Sequence, residues 1–270
     1  MADDRMPDRK RTGTYLFVRP KGARRARTAG GLDALRPEAT PGTVPAAAST
    51  EPGSEVSPPR LRYRRPRLDP TRLDPRLVFF LAPEAAAAEP YRQAAAALGA
   101  EGTTSRRFWV VGAAPGVGAT LTTANLGAAL TEYGRVTLVD AARPGSARRL
   151  ASVFGLEEPA GAFGVEHLDL WLVADRLALK ADASVLAPTE AGRHAYGAMV
   201  AAADFVLIDG LPADEPEAVA AMRTLVDGAI IVLRPADLGT GRYERTLDRL
   251  QGLPVAGILL NGAGEATLEV

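Results

Sequence analysis

The chain has 270 residues, 47% of them hydrophobic, which is enough for one ordinary domain with an extension or for two small domains. It contains no cysteine and only two histidines, His167 and His194. That excludes disulfides, thiolate zinc sites and a cysteine nucleophile, and it argues against a histidine-rich metal centre. The zero net charge is unevenly spread: residues 1–78 carry 17 basic and 9 acidic side chains and the rest 15 and 23, so a basic arm joins an acidic body.

The opening MADDRMPDRKRTG has no apolar signal-peptide core, and no apolar run reaches the roughly 18 residues of a membrane helix. A cytoplasmic location is therefore expected. Residues 1–78 are rich in Pro, Gly, Ala and Arg with no persistent period, and are expected to form a disordered basic arm. Within them, TYLFV (Thr14 to Val18) reads either as a lone strand or as a docking peptide. The stretch from Pro58 to Arg76 is basic and interrupted by prolines, so it should stay extended. It serves either as a solubilising linker or as an arm that touches anionic lipid, an acidic partner or nucleic acid. Nucleic acid is not favoured, because only Tyr63 is available for base stacking.

From residue 79 the texture changes, and residues 79–270 read as one domain. Short apolar runs recur: FWVV (108–111), VTLVD (136–140), LWLVA (170–174), FVLID (205–209), AIIVL (229–233) and VAGILL (255–260). Helical spacing lies between most of them. Leu126 and Leu130 stand four apart beside Ala124 and Ala128, and residues 217–226 and 243–251 follow the same pattern. Continuous apolar strands alternating with helices predict an α/β fold: a mainly parallel sheet with helices on both faces. Ligands in such folds sit outside the carboxyl ends of the strands. His194, in AGRHAYGAM, reads as a helix surface residue rather than a base.

Three strand ends carry chemistry. After FWVV comes GAAPGVGAT (112–120), whose Gly116 and Gly118 permit a tight turn that aims backbone N–H groups at an anion. The pattern is that of a phosphate-binding loop, with Thr120 where a hydroxyl holds Mg²⁺. The position of the loop's lysine is Ala119. One lost charge-assisted contact costs roughly 1.5–3 kcal/mol, or about one to two decades of affinity. Phosphoryl transfer should suffer more, because its catalysis is mostly electrostatic. The 29 arginines and 3 lysines show a bias that would turn Lys into Arg, not Ala; Lys10, Lys21 and Lys180 are far from the loop in sequence. The second strand end places Asp140 beside this loop, as a turn cap or as a site carboxylate. The fourth places Asp209 where a carboxylate would orient Mg²⁺, with a capping role as the other reading.

These stretches together resemble the bacterial tyrosine kinases of capsule and exopolysaccharide export, members of the MinD/ParA-type P-loop superfamily, over about residues 73–263. The likeness begins with DPRLVFFLAPEAAAAEPYRQAAAAL and continues through GAAPGVGAT, VTLVDAAR, FVLIDGLP and GILLNG. It implies a nucleotide site formed by Pro115, Gly116, Val117, Gly118, Ala119, Thr120 and Leu121, with Asn261 framing the base. It also implies Mg²⁺ at Thr120 and Asp209, with Asp140 and Asp209 as the catalytic candidates. The family's ring-assembly helix carries Glu-x-x-Arg-x-x-Arg; here Glu89 and Arg92 are present and Ala95 replaces the second arginine.

The departures fall on the reaction path. Position 119 lacks lysine, the alternative lysine position is Ala113, the second aspartate of the family's Asp-x-Asp is Ala142, and NGAGEATLEV has no tyrosine, the last one being Tyr243. The expectation is a catalytically impaired, kinase-like regulator or scaffold of polysaccharide synthesis and export. It would hold ATP or ADP with Mg²⁺ weakly or not at all. Its expected partners are a membrane polysaccharide co-polymerase, an active kinase paralogue or further copies of itself, and the basic arm would touch the membrane. One alternative is a MinD/ParA-type positioning factor. Another is an active tyrosine autokinase or ATPase in which Arg143, Arg148, Arg149 or a neighbour's Arg92 replaces the lysine.

Overall fold

A computed structural model describes residues 14–18, 68–99, 106–142, 149–156, 169–173, 177–180, 186–250 and 252–263. All six apolar runs are strands: β2 (Arg106–Gly112), β3 (Val136–Asp140), β4 (Asp169–Val173), β6 (Phe205–Asp209), β7 (Gly228–Leu233) and β8 (Val255–Ala263). Two more join them, β1 (Thr14–Val18) and β5 (Leu177–Lys180). The sheet order is β1-β8-β7-β2-β6-β3-β5-β4. Its six central strands are parallel, while β1 against β8 and β4 against β5 run antiparallel. LWLVA is thus an antiparallel edge, and the parallel position beside β3 belongs to the four-residue β5.

Successive side chains of a strand point to opposite faces, and here each face has its own core. Phe108, Val110, Phe205, Leu207, Ile230 and Val232 pack on one side, Trp109, Val111, Val206, Ile208, Ile231 and Leu233 on the other. The first face is covered by α3 (Ala119–Leu130), with α1 (Val78–Leu81), α2 (Glu89–Gly99) and α4 (Leu150–Val153) packed against α3. The second is covered by α5 (Glu190–Ala202), α6 (Pro216–Leu225) and α7 (Arg242–Arg249), through residues such as Met199, Met222 and Leu247. Helices therefore lie on both faces.

ATLTTANLGAAL, the sequence of α3, has no charged face, and every residue from Leu121 to Leu130 is buried. A helix apolar all round belongs inside. A Cβ on Gly127 would come within 2.5 Å of Leu138 Cδ2, so glycine permits the close approach of α3 to β3. The one amide within it is fully satisfied: Asn125 accepts from Phe79 N–H and donates to the carbonyls of Arg76 and Leu121, each at 3.0 Å.

These bonds bear on the boundary placed at residue 78. Leu77 is fully buried, Leu68 and Leu73 pack on the same core, and Asp74 N–H donates to the Val153 carbonyl. The packed body therefore starts by residue 68. Composition read TRLDPRL as linker because of its Arg, Asp and Pro, but its leucines dock on α3 and α4. β1 also lies within the expected arm, paired with β8 from Thr14↔Ala263 to Val18↔Ile258. The remainder of the arm, like the tail after Ala263, lies outside the described residues.

Candidate functional site

The loop between β2 and α3 lies at the centre of the sheet, with β6 and β7 on either side of its strand. Ala113 N–H donates to the Val232 carbonyl at 3.0 Å and anchors the loop's first residue. Gly116 (φ +74°) and Gly118 (φ +93°) then take left-handed conformations, which cost other residues about 1 kcal/mol or more. This turn delivers the chain into α3 with Gly118 at the cap. Among the described residues, none offers an acceptor to the N–H groups of Gly116, Gly118, Ala119 or Thr120. Unpaired amides at a helix start, reinforced by the helix dipole, suit an anion.

Pro115, Gly116, Val117, Gly118, Ala119, Thr120 and Leu121 all line one cavity of about 520 Å³, a small-molecule size. Asp209 lines it too, from the end of β6. Its side chain is buried, and Oδ2 has no hydrogen-bond partner. Thr123 Oγ1 stands 3.4 Å from Oδ1. Burial pushes the Asp209 carboxyl up to about 7; the nearby Thr120 hydroxyl pulls it back without closing a bond to Oδ2, and the negative charge of Asp140 adds to the rise. A buried carboxylate oxygen without a partner calls for one. Mg²⁺ fits, because it takes one or two carboxylates and fills its shell with water and substrate phosphate. Among the described residues no group of three or more His, Cys, Asp or Glu could hold a metal unaided, so Thr120 and Asp209 would hold Mg²⁺ together with a polyphosphate.

Asp140 has a different role. It sits beside Asp209 in register but does not line the cavity. Its Oδ1 accepts from Ala142 N–H at 3.1 Å and its Oδ2 from Ala151 N–H at 3.4 Å, and Arg149 Nε lies 3.6 Å from Oδ2. It ties the end of β3 to α4. Burial raises its pKa and the Arg149 guanidinium opposes that rise. Ala142 is buried against Gly210, where a Cβ would fall 2.3 Å from Ala142 N.

Asn261 reaches the loop, though not the cavity lining. Its Nδ2 donates to the Val117 carbonyl at 2.6 Å, and a Cβ on Gly118 would lie 1.9 Å from that nitrogen. Gly118→Ala, which adds a clash with Asn261 to a strained φ, is expected to cost about 1–3 kcal/mol; urea denaturation checks it, and an unchanged midpoint refutes it.

The cations proposed for the lysine's place that fall among the described residues are engaged or distant. Arg149 faces Asp140, and Arg92 bonds to Glu89 and the Pro83 carbonyl. Glu89 and Arg92 thus form a pair on α2, away from the cavity. Lys180 is on β5, separated from β2 by β3 and β6, roughly 14 Å of sheet. Arg143 and Arg148 lie outside the described residues. His194 is exposed on α5, as its pattern indicated. The sequence did not reveal the far wall: Arg76, Leu211 to Asp214, Thr246 and Arg249. No local pattern marks them, since distant elements bring them together. No helix among the described residues is long and apolar enough to cross a membrane.

No family model matches the chain, and no curated protein matches its sequence. Solved structures do match. The chimerical protein CapA2B2 aligns with a TM-score of 0.55 at 16% identity, over 67% of this chain and 87% of that one. The kinase domain of the Escherichia coli tyrosine kinase ETK gives 0.53 at 18%, over 78% and 88%. The BceF tyrosine kinase domain gives 0.52 at 20%, over 70% and 82%. At such identities the likeness is one of fold.

Proposed function

We propose, on the premise of a fold shared with tyrosine kinase domains, that this protein is a catalytically impaired relative of the bacterial tyrosine kinases. It acts as a regulator or scaffold in capsule or exopolysaccharide synthesis and export and binds ATP or ADP with Mg²⁺ weakly. The observation that carries this reading is a well-formed anion cradle whose loop has no lysine. The loop residues line a cavity together with Thr120 and the buried Asp209, which supports a phosphate and metal site there. Ala119 stands at the lysine position and buried Ala142 at that of the second aspartate.

The chain's own residues divide the work. The amides of Gly116 to Thr120 bind phosphate oxygens, Asn261 holds the loop in shape, and Asp209 with Thr120 keeps the metal at its edge. When bound, Mg²⁺ would neutralise phosphate charge. Of the cations named above for the lysine's place, those among the described residues do not line the cavity, so a developing charge on a transferred phosphoryl group lacks their support. The partners remain those the resemblance names, a membrane co-polymerase or an active kinase paralogue, with copies of the chain itself.

Ala119→Lys tests the reading. Ala119 is half-buried and lines the cavity, so a lysine there extends into open space. Calorimetric titration with Mg–ADP and Mg–ATP is expected to show the variant binding about 10- to 100-fold more tightly than the natural protein. Phosphotyrosine should not accumulate in the natural protein incubated with ATP. Transfer of γ-phosphate to tyrosine at rates comparable with an intact kinase would overturn the reading.

A further inference from the structure

We infer that Arg249 is the cation that replaces the missing loop lysine, contacting the phosphate oxygens of a nucleoside di- or triphosphate held on the 112–120 loop. The inference rests on the nucleotide-binding reading above and adds a residue outside every motif that led to it. Arg249 ends α7 and lines the same cavity as Gly116, Gly118, Ala119 and Thr120. Thr246, one turn earlier on that helix, lines the cavity as well.

Charge accounting singles Arg249 out. The charged residues of the cavity wall are Arg76, Asp209, Asp214 and Arg249. Arg76 is committed, its Nε and Nη2 donating to the two oxygens of Asp74 at 2.9 and 2.6 Å. On α7 and the segment before it, Arg234 and Arg242 are both bound to the buried Asp237, and Arg245 donates to the Thr240 carbonyl. Among the described residues the Arg249 side chain has no ion pair or hydrogen bond. Without it the wall would present Asp209 and Asp214 against one neutralised arginine, and would repel a polyphosphate. A guanidinium offers a planar fork of donors that matches two phosphate oxygens at once.

A positive residue in a last helical turn also complements the helix dipole. That role would leave ligand binding untouched when the charge is removed, so the two separate by experiment. Full-length natural protein, Arg249→Gln, Ala119→Lys and the double variant are titrated calorimetrically with Mg–ADP and with inorganic pyrophosphate, and melted without ligand. Arg249→Gln should weaken both ligands by a similar factor, about 10- to 100-fold, with little change in Tm. Ala119→Lys in the Arg249→Gln background should restore binding to near the natural level. Equal binding by Arg249→Gln and the natural protein overturns the inference and leaves the nucleotide reading standing. Loss of ADP binding with pyrophosphate unaffected also overturns it, by moving Arg249 to the base. If the natural protein binds neither ligand at millimolar concentration, the inference and the reading fall together.

Discussion

Asp209→Asn is expected to stabilise the metal-free protein at pH 8 by on the order of 2–4 kcal/mol, with less than half of that gain at pH 5. The carboxyl is raised from 3.8 to about 7, chiefly by burial and further by Asp140. A group whose folded pKa lies above its unfolded value holds more protons when folded, so its contribution to stability falls as pH rises from about 4 to about 7 and is constant above. Asparagine carries no charge to bury and removes this slope. Asp140, also raised by burial, leaves a slope of the same sign in both proteins. Chemical denaturation in EDTA between pH 5 and 8 makes the comparison. Parallel curves for the two proteins would show that Asp209 is hydrated or compensated in solution. Added Mg²⁺ with ADP should raise the melting temperature of the natural protein and leave that of Asp209→Asn nearly unchanged.

Trp109→Ala should be the most damaging substitution, costing about 3–5 kcal/mol. Trp109 is fully buried on the face covered by α5, α6 and α7, among the largest side chains so enclosed. Its indole N–H donates to the Leu211 carbonyl at 3.2 Å. That bond fastens the chain leaving Asp209, whose residues Gly210 to Asp214 form one side of the cavity. Trp109→Phe keeps much of the volume and gives up the bond, and should cost about 1–2 kcal/mol. Urea denaturation of both variants separates packing from latching. A loss below about 1 kcal/mol for the alanine variant would show that this core collapses around the gap.

The parallel sheet was legible because its strands are buried on both faces and are written as unbroken apolar runs. β5 escaped because LALK is too short to stand out, whereas LWLVA was counted among the runs of a mainly parallel sheet and lies one strand further out in the opposite direction. The phosphate loop was legible because its geometry is local: two glycines, a strand before and a helix after. Asp140 remained ambiguous because its partners, Ala151 and Arg149, belong to a helix some ten residues away whose docking no local pattern gives. Arg249 was invisible for the same reason, since in sequence it is one more arginine on a helix that carries several. Asn261 was expected to frame the base; it is seen holding the Val117 carbonyl of the loop.

Strand β1 pairs with residues about 240 positions further along the chain. At cellular synthesis rates of about 5–20 residues per second, β8 emerges from the ribosome roughly 10–50 s after β1. Until then β7 presents an unpaired edge and the phosphate loop has no asparagine to hold it. Asn261 is made about 140 residues after the loop it holds, roughly 7–30 s later at those rates, and the same strand that supplies the loop's last support also gives the N-terminal segment its place in the sheet.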